Sequence, residues 1–135
     1  MNKLLMLLFL IPFLLPLPAA AATINAASCS QQDVQAAIDL ASNGDIVTVP
    51  EGNCVWVSGR RFVDSGYYRY PSLGINKSVV LIGAGADKTF ISVHNSGNNT
   101  IIYRPANMQA NLPFRVSGFA FDMANSHPLM TSSTE

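Results

Sequence analysis

The sequence is poor in the groups from which most chemistry is built. Charged residues make up 12% of the 135, with eight Lys and Arg against eight Asp and Glu, so the formal net charge is zero. That balance gives no electrostatic reason to expect nucleic acid or an anionic membrane surface as a partner. His94 and His127, the two histidines, lack acidic or thiol neighbours at the spacing of a metal site or a catalytic triad, which favours polar surface roles. Asp64, Asp87 and Asp122 stand alone in turn-like or strand-end contexts, so the paired carboxylates of glycoside hydrolysis are missing. Gly83-Ala84-Gly85 lacks the third glycine of a dinucleotide fingerprint, and the residues after it read as strand where that motif needs helix. Lys88-Thr89 mimics the end of a phosphate loop, but Asp87 replaces the glycine before it and would repel phosphate. No catalytic, cofactor-binding or metal-binding residue is expected in this chain.

A long uninterrupted apolar run is also lacking. Leu4 to Leu17 is broken by Pro12 and Pro16, with Pro18 just beyond, whereas a membrane span needs about 20 consecutive apolar residues. With Lys3 ahead of that run and Ala19 to Ala22 offering an A-x-A site, residues 1–22 are read as a secretory signal peptide cleaved near Ala22 or Thr23; a transmembrane anchor is the alternative. The mature chain, 23–135, has room for one domain and is expected to be secreted or periplasmic, with no membrane association after cleavage.

Two cysteines remain, Cys29 and Cys54, in a chain bound for an oxidising compartment, and they are expected to pair. Closing a loop of about 25 residues removes denatured-state entropy worth about 3–4 kcal/mol. Free or acylated thiols are the competing reading, and a zinc site is short of ligands.

Against this sparse background the stretch Ser28 to Gly52 is rich in structural signals. Ser30 can cap a helix, with Asp33 three residues on approximating a capping box. Val34, Ala37, Ile38 and Ala41 repeat at i, i+3, i+4 and i+7, a narrow apolar stripe, and Asn43-Gly44 predicts a left-handed helix end. Val47 and Val49 then alternate with Thr48 until Pro50. Val55 to Val57, Val79 to Ile82, Phe90 to Val93, Thr100 to Tyr103 and Phe114 to Phe121 come next as short β-rich runs separated by turn residues. Strands without intervening helices exclude a doubly wound sheet and leave a sandwich, a barrel, or a coil of strands stacked on itself; a helix at the start suits the coil, whose apolar end must be covered.

The order of three blocks carries a resemblance. These are Asp33 to Ile38 followed by Gly44 to Gly52 with Cys54; then Ile75-Asn76-Lys77, Val79, Leu81, Gly83-Ala84-Gly85, Thr89 and Ile91; then Phe114 to Phe121. Together they resemble the amino-terminal cap and first turns of the right-handed parallel β-helix proteins of the pectate-lyase-like superfamily. The resemblance implies a mainly β solenoid with a capping α-helix over 23–135. It also implies that acidic residues binding calcium or acting on polysaccharide would sit on later, central turns. The chain reaches Thr131 to Glu135 after about three turns with no carboxy-terminal cap, so it is expected to be the amino-terminal part of a longer protein and inactive by itself.

The stretch Ser58 to Leu73 is longer than a compact link and is expected to be a surface excursion. It gathers Arg60, Arg61, Tyr67, Tyr68, Arg69 and Tyr70, groups that can stack on sugar rings and pair with uronate carboxylates. The alternative is that the tyrosines pin the loop and the arginines solvate it. Three functions stay open: the cap end of a polysaccharide lyase or hydrolase, a non-catalytic surface or adhesion β-helix, and a short secreted structural module.

Overall fold

The structure is a computed structural model that describes residues 20–64, 66–94, 99–105, 113–123 and 130–132. Residues 1–19 of the expected leader and His127 lie outside these. In chain order the elements are β1 (Thr23–Asn25), α1 (Gln31–Leu40), β2 (Ile46–Val49), β3 (Gly52–Val57), β4 (Phe62–Asp64), β5 (Tyr67–Arg69), β6 (Leu73–Ile75), β7 (Val80–Gly83), β8 (Thr89–His94), β9 (Ile101–Tyr103), β10 (Arg115–Ser117), β11 (Ala120–Asp122) and β12 (Met130–Ser132).

The strands form three parallel sheets, ordered β1-β2-β7-β10, β3-β8-β11 and β6-β9-β12, beside an antiparallel β4–β5 hairpin. After β1 the chain visits the three parallel sheets in the same order three times. Equivalent side chains therefore stack in columns. Ile24, Val47, Leu81 and Val116 form one, and Cys54, Ile91 and Phe121 another. Val47, Leu81 and Ile91 are buried while Thr48, Ile82 and Phe90 next to them are not, the period-two alternation of a strand with one covered face. Burying each such aliphatic side chain contributes about 1.5–3 kcal/mol.

Helix α1 touches the first strands of all three parallel sheets, through β1, β2, β3 and β6. Val34, Ala37, Ile38 and, just past its end, Ala41 are all buried, so the apolar stripe covers one end of the stacked strands. Its polar side chains have a second task. Gln31 Oε1 accepts from the Val57 N–H at 2.8 Å, and Gln35 grips the Gly74 peptide groups, accepting from the N–H at 3.0 Å and donating to the carbonyl at 3.1 Å. These are edge-strand groups of β3 and β6 that would otherwise be unpaired.

The helix ends differ from the sequence expectation in detail. Ser30 is the N-cap, its hydroxyl accepting from the Asp33 N–H at 3.2 Å, but Asp33 closes the box through an intermediary. Ser28 Oγ donates to Asp33 Oδ2 at 2.5 Å and accepts from the Ser30 N–H at 3.0 Å. At the other end the left-handed Asn43-Gly44 stop is corrected. The helix finishes at Leu40, Ala41 is extended, and Gly44 (φ 92°) belongs to a separate turn. The physical reason is Lys77, whose ammonium donates to the carbonyls of Asp39 (2.9 Å) and Ala41 (2.6 Å) and supplies a cation at the negative end of the helix dipole.

Three strand features differ from the sequence expectation. β1 lies outside β2, so Ile24 and not Val47 heads the first column. β6 starts at Leu73, the last residue of the expected excursion, where no strand run was expected, and the excursion itself contains the β4–β5 hairpin. The Phe114 to Phe121 run is divided into β10 and β11 by a corner at Gly118. There Gly118 (φ 76°) meets Gly83, and a Cβ on either would fall within 2.4 Å of the other's carbonyl oxygen.

Cys29 and Cys54 form a disulfide with Cα atoms 5.9 Å apart, fastening the segment before α1 to β3. Two residues along β3, Trp56 is fully buried, donates its indole N–H to the Cys29 carbonyl at 3.0 Å, and makes edge contacts with Phe119 and Phe121. Gly52 is required beside the bridge, since a Cβ there would lie 2.6 Å from Cys29 Sγ. Removing the bridge with Cys29→Ala and Cys54→Ala together is expected to cost about 3–4 kcal/mol of unfolding free energy, read from denaturant melts.

Asp45 ties the residue just ahead of β1 to this framework. Its carboxylate accepts from the Ser42 N–H (2.7 Å) and the Ala22 N–H (2.9 Å), and these two bonds, with the charge of Lys77 adding to them, hold its pKa below the ordinary carboxylate value. A depressed carboxyl pKa gives stability that is present above the unfolded-state value of about 3.9 and is lost as pH falls through the lower folded value. The stability difference between the native protein and Asp45→Asn should therefore be constant near neutrality and shrink as the pH is taken below about 4, as followed by thermal melts.

Candidate functional site

The excursion between β3 and β6 is built from its base outward. Gly59 donates its N–H to the Pro71 carbonyl at 2.8 Å, closing the neck, and β4 pairs with β5 in the register Phe62 with Arg69, Val63 with Tyr68 and Asp64 with Tyr67. Phe62 points back toward the body, where its ring lies over Gly74 of β6 so closely that a Cβ on Gly74 would be 2.4 Å from it. The hairpin thus covers the outside of β6, whose three residues are all buried. Gly74 serves two neighbours at once, Gln35 on its peptide groups and Phe62 on its open face.

The structure brings the predicted binding residues into one region but gives them different surroundings. Tyr67 and Tyr68 are 69% and 62% exposed, and Val63, paired with Tyr68, and Tyr70 are exposed too. Arg61 lies over the Tyr68 ring at 4.6 Å from its centroid, a cation–π pair on the hairpin surface. Arg69 is exposed on β5. Arg60 is separated from the group, for its guanidinium is bound to Asp39 Oδ1 on α1 at 2.5 Å. Both partners of that ion pair are open to solvent, so it positions the neck more than it stabilises the fold.

Between the neck and α1 lies a cleft of about 260 Å³ lined by Gln31, Gln35, Asp39, Arg60 and Ser72, among others. Its polar groups are largely spent: Gln31 and Gln35 complete strand edges, and Arg60 and Asp39 hold each other. The Ser72 hydroxyl is buried with no protein partner among the described residues. A second depression, about 320 Å³, runs along the outside of the second sheet past Asn53, Phe90, Ser92 and Asp122. Phe90, Val55 and Val57 are exposed on that sheet, a feature the sequence reading missed. Apolar residues occupy inward and outward positions alike on β3 and β8, so alternation alone could not tell which face was covered.

The remaining sequence candidates are dispersed. His94 is exposed at the end of β8, in register with Val57, and Asp122 is exposed at the end of β11, while Asp87 sits in the turn after Gly85. Thr89 explains the Gly83 to Gly85 turn, since its buried hydroxyl accepts from the Ala84 N–H at 2.9 Å and donates to the Pro50 carbonyl at 3.3 Å. Among the described residues no three of His, Cys, Asp and Glu gather as a metal site would require, and no helix is long and apolar enough to cross a membrane. Comparison with known protein families, curated proteins and solved structures gave no match for this chain.

The hairpin's seat makes a specific forecast. Gly74→Ala should push the Phe62 ring off β6 and, like Phe62→Ala, speed tryptic nicking at Arg60, Arg61 and Arg69 several-fold over the native protein, as resolved by mass spectrometry of timed digests.

Proposed function

We propose that this chain forms the amino-terminal cap and first turns of a right-handed parallel β-helix of the pectate-lyase-like kind, and that it binds extracellular acidic polysaccharide through the β4–β5 hairpin. The fold reading is supported by three parallel sheets visited in constant order and by a helix lying across the first strands of each. Each return to a sheet is a parallel crossover, and such crossovers are right-handed in nearly all proteins. Secretion agrees with the Pro-broken leader and with the Cys29–Cys54 bridge, which persists only under oxidising conditions.

The observation that carries the binding reading is the pairing of Arg61 with the exposed ring of Tyr68, alongside exposed Tyr67 and Arg69. Tyrosine faces offer apolar area to the C–H faces of sugars, and a guanidinium held over such a ring is aimed at a carboxylate by a partner that does not neutralise it. With Arg61 and Arg69 against Asp64, the hairpin is a local cationic feature in a chain whose formal net charge is zero. Binding and presentation is the role that fits a surface of this composition.

Retention on a polygalacturonate column tests it. The triple replacement of Arg61 and Arg69 with Ala and of Tyr68 with Ala should lower retention at least ten-fold, Arg60→Ala should change it less than two-fold, and retention should fall as salt is raised. Equal retention of the native and triple-substituted proteins would end the proposal.

A further inference from the structure

The leader offers two A-x-A registers one residue apart. Ala19 and Ala21 would direct cleavage after Ala21, and Ala20 and Ala22 would direct it after Ala22. Sequence rules do not separate them, but the folded domain treats the two products differently. Ala22 is already part of the structure: its carbonyl accepts from the Ile46 N–H at 2.8 Å, the first bond of the β1–β2 ladder, and its N–H donates to Asp45 Oδ1 at 2.9 Å. Cleavage after Ala22 would remove both bonds, leaving the Ile46 N–H and Asp45 Oδ1 without these partners. Cleavage after Ala21 keeps both. Ala20, Ala21 and Ala22 are exposed, so the peptide bonds between them lie at the surface.

We infer that the mature protein begins at Ala22, and that its new α-ammonium forms an ion pair with Asp45 which fastens β1 to the edge of the first sheet. Hydrolysis of the Ala21–Ala22 amide by a signal peptidase consumes one water, leaving a carboxylate on Ala21 and an amine on Ala22 that takes up the released proton. An amide donor thereby becomes a charged one facing a carboxylate already in place. Charge-assisted hydrogen bonds of this kind are roughly twice as strong as neutral ones. Asp45 is well suited to receive the ammonium. It is 8% exposed, is held from the other side by the Ser42 N–H, and belongs to the turn that leads into β2, the strand on which β1 must lie. Lys77, the other cation that acts on Asp45, is occupied by the carbonyls of Asp39 and Ala41 and leaves Oδ1 to the chain start. Processing then does more than release the protein. It tightens the outermost strand at the moment the leader is lost.

This inference rests on residues 1–21 being a cleaved leader, and the test keeps the two apart. The full 135-residue chain is expressed with its own leader in a secreting host, and the exported protein is characterised by intact mass and amino-terminal sequencing. A start of Ala22-Thr23-Ile24 is expected. A start at Thr23 would overturn the junction while keeping the leader, and a chain that retains residues 1–21 would overturn the leader and the inference with it. The ion pair is tested independently by a cycle on the exported proteins. Deleting Ala22, which leaves Thr23 after the Ala19-x-Ala21 site, and Asp45→Asn should each lower Tm by about 4 °C or more. The deletion should cost clearly less in the Asp45→Asn background than in the native one. Equal cost in both backgrounds would sink the ion pair, and if Asp45→Asn is not exported the sequenced start of the native protein still decides the junction.

Discussion

An exposed edge of a parallel sheet is a row of peptide groups with no partner, and this molecule has three such edges at one end. The arrangement depends on how they are closed. A single helix of ten residues, Gln31 to Leu40, does most of it. Its apolar stripe fills the space between the sheets, while the amides of Gln31 and Gln35 stand in for the missing neighbours of β3 and β6. The first sheet differs, for the three-residue β1 lies outside β2 and takes the edge position itself. A side-chain amide suits this task because its oxygen accepts while its NH2 donates, as Gln35 shows on the N–H and the carbonyl of Gly74.

Long-range ties hold the helix against those edges. The disulfide, the Trp56 indole bonded to the Cys29 carbonyl, and Lys77 on the carbonyls of Asp39 and Ala41 fix it near both ends. None of these ties lies between neighbours in sequence, and together they connect α1 to β3 and to the segment entering β7. The hairpin is an appendage to this framework, seated by Phe62 on Gly74 and steadied at its neck by Arg60 on Asp39. Its outer surface is left free to carry tyrosines and arginines because no core position is asked of them.

Much of the framework was legible in the sequence because it rests on local signals. Ser30 and the Val34, Ala37, Ile38 and Ala41 stripe announced the helix and its covered face, and alternation around Thr48 announced β2. What escaped were features set by distant partners. β1 and β6 are three residues each, too short for a period, and exist because β2 and β9 lie beside them. The helix stop was misplaced because the group that ends it, Lys77, is 38 residues from the Asp39 carbonyl it binds. The clustering of Arg61, Tyr67, Tyr68 and Arg69 was readable, but the diversion of Arg60 to Asp39 required knowing that the helix passes the neck of the loop.

The columns of stacked side chains have a bearing on how the chain acquires its shape. Within each parallel sheet a strand is hydrogen-bonded only to the ones directly above and below it, so order can spread layer by layer from the end that α1 covers, which is also the end synthesised first. The bridge between Cys29 and Cys54 spans only the opening layer and can close before the later layers arrive. A nascent chain built in this way lays down its foundation first, and each new layer finds a finished template waiting for it.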